Sequence, residues 1–144
     1  AGMTGSSCGV PSIREGRATS RDSRLARVRA LCLALPEAAE RMSHGEPTWF
    51  AGKRTFVMFA IDHHSDGRVA FWCAAAPGVQ DLLAHSDPTH YFVPPYVGYR
   101  GWVGVRVDLS DVDWDQATLL ITDAYRQVAP KRLLALLSGI TPNT

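Results

Sequence analysis

Long apolar runs are missing from this 144-residue chain. The stretch closest to a membrane segment, from Val69 to Val79, is broken by Pro77 and falls far short of the roughly 20 residues a spanning helix requires. A basic n-region followed by an apolar stretch is missing too. The start, residues 1–7, reads as a tag remnant running into a native Met3, so neither secretion nor membrane association is expected and the predicted location is cytoplasmic. Cysteine is scarce: Cys8, Cys32 and Cys73 have no Cys-x-x-Cys spacing, which fits reduced thiols and speaks against zinc or a disulfide framework. Net charge is close to nil, with 15 basic against 14 acidic side chains, so no long-range field selects nucleic acid or an acidic partner.

Catalytic signatures are also lacking. There is no Gly-x-Ser-x-Gly elbow, no phosphate-binding loop and no His-Glu-x-x-His, and Gly98, Gly101 and Gly104 recur every third residue, unlike a dinucleotide fingerprint. Ser43, His44 and Glu46 put a hydroxyl, an imidazole and a carboxylate in one short loop. Near-adjacent residues seldom point at one another as a triad must. His63 and His64 are consecutive in a predicted turn and would need metal ligands from elsewhere. The expectation is a non-enzymatic protein with no catalytic residues, no metal and no cofactor.

What remains is an ordinary globular composition, 46% apolar and 20% charged, in a chain long enough for one real core. Residues 1–18 hold several Gly and Ser with little apolar periodicity and read as a flexible arm; 19–138 form a single domain and 139–144 a tail. The first 60 residues carry nine basic and five acidic side chains, and the rest six and nine, so the first half is mildly basic. Thirteen of the 15 cations are Arg, which suits a high-GC bacterial genome.

Thr19 and Asp22 have capping-box spacing, and Leu25, Val28, Leu31, Cys32 and Leu35 then recur at helical spacing until Pro36. From Pro47 to Cys73 the pattern turns to β. A strand through Trp49 and Phe50, a tight turn at 51–54, a strand from Thr55 to Ile61, a loop at 62–68 and a strand from Val69 to Cys73 make three antiparallel strands. Alternation puts Thr55, Val57, Phe59 and Ile61 on one face and Phe56, Met58 and Ala60 on the other. Both sets are largely apolar, so a face left uncovered by helices must meet a ligand, a second subunit or its own loops. Pro77 opens a second helix ending near Ser86. Tyr91 to Tyr99 is extended or looped, Val103 to Val107 is a strand, and Asp113 caps a helix that runs to Pro130. Pro130 to Leu137 adds a short terminal helix. The fold class is α+β, a two-layer domain with a single antiparallel sheet, in the order α-β-β-β-α-β-β-α.

Eleven of the 13 aromatics fall between Trp49 and Trp102. The Phe residues suit a core, whereas the polar edges of Trp and Tyr need partners and favour pockets and interfaces. Trp72 and Trp102 stand on strand faces opposite Phe71 and Val103. A pocket formed by Trp49, Trp72, Tyr96, Tyr99 and Trp102 with Arg106 would hold a planar small molecule, so one reading is a drug-binding or sequestering protein.

The stretch from Ser43 through Gly45, Pro47 and Thr48 to Phe50, the turn Gly52-Lys53-Arg54 leading to Phe56, the segment from Tyr91 through Phe92, Val93, Pro94 and Pro95 to Tyr96, Gly101-Trp102-Val103 and the run from Val128 through Ala129 and Pro130 to Arg132 together resemble the MmcQ/YjbR family of small bacterial proteins. The resemblance covers residues 22–137. It implies the same order of elements and a regulatory, DNA-binding module with double hairpin wings, here the Lys53-Arg54 turn and the loop from Asp62 to Arg68. On that reading DNA is met by Arg24, Arg27, Lys53, Arg54, Arg68 and Arg100, with Arg14 and Arg17 of the arm. The chain is expected to be a monomer or a homodimer.

Overall fold

The computed structural model describes the backbone of residues 13–61 and 69–140 and the side chains of 23–61 and 69–137. The loop at 62–68, with Arg68, His63 and His64, lies outside the described residues, as do Cys8 and the side chains of Arg14 and Arg17.

Helix α1 runs Ile13–Leu33. It begins ahead of the expected cap at Thr19 and so takes in residues that the arm was expected to contain. Val28 and Cys32 of its apolar stripe are fully buried. Strands follow at β1 (Ala38–Ser43), β2 (Glu46–Ala51), β3 (Arg54–Ile61) and β4 (Val69–Cys73). After α2 (Val79–Ser86) come β5 (Tyr91–Phe92), a short 3₁₀ turn (Gly98–Arg100) and β6 (Val103–Arg106). Helices α3 (Trp114–Val128) and α4 (Lys131–Ile140) end the domain. The expected α+β class with one antiparallel sheet is what the chain adopts, in the spatial order β1-β2-β3-β4-β6-β5.

Three details differ from the sequence expectation. First, β1 is an additional strand. Its residues, Ala-Ala-Glu-Arg-Met-Ser, favour helix by propensity, and pairing with β2 along its whole length overrides that preference. Second, the short terminal helix expected after Pro130 is present as α4, one helix more than the order α-β-β-β-α-β-β-α counts. Third, β3 does not alternate strictly. Trp49 pairs with Val57 while its neighbour Phe50 pairs with Thr55, so Phe56 is a bulged residue without an opposite number. Phe56 and Val57 both end fully buried, and the Phe56 ring meets Tyr125 of α3 edge-on at 5.5 Å. The bulge thus moves Phe56 to the helix-covered face and sends Thr55 to the other.

Helices α1 and α3 cover one side of the sheet. There Trp49, Val57, Phe59, Phe71, Cys73 and Val103 pack against Val28, Cys32, Ile121 and Tyr125. The capping expectation at α3 holds, since the Asp113 side chain accepts from the Gln116 amide at 3.0 Å. The Tyr125 hydroxyl donates to the Pro36 carbonyl at 2.6 Å, tying α3 to the turn where α1 stops. Burial pushes the Cys32 and Cys73 thiols far above their ordinary range, so both are inert core side chains. Among the described residues no helix is long and apolar enough to cross a membrane.

Candidate functional site

The opposite face of the sheet presents Thr48, Thr55, Met58 and Trp72. Cross-strand pairing sets Thr48 beside Met58, Met58 beside Trp72, and Trp72 beside Gly104. Over these lies a cavity of about 500 Å³, bounded also by Ser43, His44, Tyr96, Val97, Arg100 and Trp102. That volume is in the range of small-molecule sites.

Each wall is fixed by local chemistry. Ser43 pairs with Glu46 across a two-residue connection whose central residues, His44 and Gly45, have φ of 54° and 81°. Two positive φ angles are the mark of a type I′ hairpin turn, which usually takes Asn-Gly. His44 therefore occupies a backbone state disfavoured for it, and sits at the cavity edge. The second strained side chain is Tyr96, with φ of 67°. The Val97 amide donates to the Pro95 carbonyl at 2.7 Å across it, which closes a γ-turn of the rarer positive-φ form. Glu37, His44 and Tyr96 are the non-glycine residues with positive φ among those described, and two of the three line this cavity. Strain held at one site is a recurrent feature of functional surfaces.

The far wall is a stiffened loop. Gln80 of α2 donates from Nε2 to the carbonyls of Gly98 and Trp102, both at 2.7 Å, so the segment carrying Arg100 is clamped on either side. The Arg100 guanidinium stands 5.6 Å from the centre of the Trp102 ring. Thr48 is buried, and its hydroxyl donates to the Glu46 carbonyl at 3.1 Å.

Of the residues expected to form an aromatic pocket, Trp72, Tyr96 and Trp102 come together here. Trp49 does not. It is fully buried beneath the helices, with its indole Nε1 donating to Glu40 at 3.1 Å. Tyr99 is 88% exposed and does not line the cavity. Arg106 makes a two-pronged pair with Asp108, at 3.1 and 2.9 Å, away from the lining. Sequence reasoning missed Ser43, His44, Thr48, Thr55, Met58 and Val97 as lining residues, and it assigned Arg100 to DNA instead. Period-two alternation places Met58 correctly, whereas the bulge hides Thr55.

The expected DNA-contacting cations separate. Arg27 stacks on Trp114 at 4.6 Å and, with Arg24, borders a small cleft at the start of α3. Gly52, with φ of 67°, opens the Lys53-Arg54 turn, and a Cβ there would lie 3.4 Å from Pro130, just past the other end of α3. A 15-residue helix spans roughly 20 Å. Arg100 is on the opposite face, in the aromatic cavity. A third cluster is electrostatic: His90 lies between Asp87 and Asp111, at 3.0 and 2.9 Å, and these hydrogen bonds hold its imidazole above its ordinary range. Among the described residues no group of His, Cys, Asp or Glu is arranged to hold a metal ion.

A search of curated proteins finds no match. The YjbR family model matches residues 33–127, which takes in the whole sheet, α2 and most of α3. By that match the chain belongs to the YjbR family.

Proposed function

We propose that this chain is a non-enzymatic binding protein that takes a planar small molecule into the cavity between Trp72, Met58 and Trp102. The observation that carries the reading is the cavity itself: about 500 Å³ of concave space lined by two indoles, on the sheet face opposite α1 and α3. An apolar hollow with a few convergent polar groups, here Ser43, His44, Thr48, Thr55 and Arg100, is the usual form of such a site. The strain at His44 and Tyr96 supports the same reading, because both residues spend backbone stability to hold a side chain at the rim. Among the described residues the cations expected to meet DNA are scattered, which argues against a single phosphate-tracking face of the kind duplex binding ordinarily needs.

The test is a titration with a panel of planar aromatics, read by equilibrium dialysis and tryptophan quenching. One saturable site per chain is expected, lost in Trp72→Ala and weakened in Trp72→Phe. Absence of saturable binding up to millimolar concentrations overturns the reading. A parallel anisotropy titration with mixed-sequence duplex DNA is expected to give no binding near physiological salt. Tight, steeply salt-dependent binding there would return the hairpin wings to the foreground.

A further inference from the structure

Resting on that cavity reading, we infer that the ligand is an aromatic anion: its rings lie against Trp72 and Trp102 and its carboxylate, sulfonate or phosphate meets Arg100. The lining has one permanent cation and no carboxylate among the described residues. Its other polar groups are hydroxyls, indole N–H groups and the His44 imidazole, and none of them carries the permanent negative charge that would offset the repulsion of a cationic ligand by Arg100.

Arg100 is prepared for this role in two ways. Its guanidinium rests near the Trp102 ring and has no ion pair among the described residues, so the planar donor edge is available to an incoming anion. A guanidinium held over an aromatic face can keep its in-plane N–H donors free, and with these Arg grips a carboxylate or phosphate through two bonds. Its backbone is also fixed. Gln80 clamps the carbonyls on both sides, and the Arg100 amide donates to the Val97 carbonyl at 3.0 Å. A fixed backbone leaves only the side chain to be ordered on pairing, so more of the interaction appears as affinity. The same residue repels a planar cation, which gives the cavity a charge preference as well as a shape preference.

A matched pair of probes tests this: 1-anilinonaphthalene-8-sulfonate and N-phenyl-1-naphthylamine, which share a ring system and differ in the sulfonate. Both are titrated by fluorescence and by dialysis against the wild type, Arg100→Gln and Trp72→Ala. Arg100 is exposed and outside the core, and a urea midpoint for Arg100→Gln checks that folding is unaffected. The sulfonate is expected to bind about tenfold tighter than the neutral probe, with Arg100→Gln bringing the two within about twofold, chiefly by weakening the sulfonate. Equal binding of both probes by the wild type, lost in Trp72→Ala, overturns the anion preference while the cavity reading stands. A preference that survives Arg100→Gln also overturns it. If neither probe binds, the cavity reading falls and this inference falls with it.

Discussion

The tip of the Phe92 ring rests on Gly104 so closely that a Cβ on the glycine would lie 2.4 Å from Cζ. The two residues are opposite one another on β5 and β6, and Gly104 is also opposite Trp72 on β4. A glycine between two large rings lets the first lie down across the strand and keeps the floor beside Trp72 smooth. Gly104→Ala is expected to force Phe92 aside and destabilise the domain by about 1–3 kcal/mol. Combining it with Phe92→Leu should recover part of that loss, measured as non-additive urea midpoints. An additive pair would mean that the two residues do not compete for the same space.

Glu40 joins α1 to the sheet. It accepts from Arg29 at 2.7 and 2.9 Å and from the buried indole of Trp49 at 3.1 Å. Glu40→Ala leaves the Trp49 N–H without its acceptor and should cost about 1–3 kcal/mol, whereas Glu40→Gln keeps an acceptor and should cost less. The Arg29 hydrogen bond, opposed in part by burial, holds the Glu40 carboxyl below its ordinary range. A depressed folded value means the stabilisation is complete above the unfolded carboxyl range and fades as pH falls through the folded value. Chemical denaturation from neutral pH down into the acid range should therefore show a steeper loss for the wild type than for Glu40→Gln. Parallel curves would remove Glu40 from the acid response.

How far these features could be read in the sequence differs from element to element. Trp72 and Trp102 were legible because period-two patterning assigns a face wherever a strand is regular. Trp49 carries the same aromatic signal, yet its face is set by register with Glu40 and Val57, which a single strand does not reveal. Phe56 was misassigned for a related reason: a bulge arises between two strands and has no signature in either one. Strand β1 was hidden because Ala, Glu, Arg and Met favour helix, and only pairing with β2 makes the segment extended. The caps and breakers at Pro36, Asp113 and Pro130 are local interactions, and they were legible.

His90 bridges two loops, donating through its ring nitrogens, when both are protonated, to the carboxylates of Asp87 before β5 and Asp111 after β6. Its pKa is raised by the Asp87 hydrogen bond first and the Asp111 hydrogen bond second. A raised folded value means this contribution to stability is whole below the unfolded imidazole value and is lost as pH rises through the folded one. Asp111 is exposed, so Asp111→Asn should leave the fold intact and lower the His90 titration midpoint, read from its Cε1 proton by NMR. An unmoved midpoint would mean that Asp111 does not hold the ring in solution.

Tyr96 separates the strain at the cavity rim from the ring it supports. With φ of 67°, any non-glycine residue at this position is strained, while glycine is not. Tyr96→Ala removes the ring and keeps the strain; Tyr96→Gly removes both. The glycine variant is accordingly expected to be more stable than the alanine variant by roughly 1 kcal/mol, even though glycine normally costs folding entropy. Both lack the ring, so both should bind the planar sulfonate probe more weakly than the wild type, and by similar factors. Stability would then separate the two variants where affinity does not, the pattern expected when backbone energy is spent to position a binding side chain. If Tyr96→Ala were the more stable, the left-handed turn would not exist in solution. If both variants bound as tightly as the wild type, Tyr96 would border the cavity without touching what fills it.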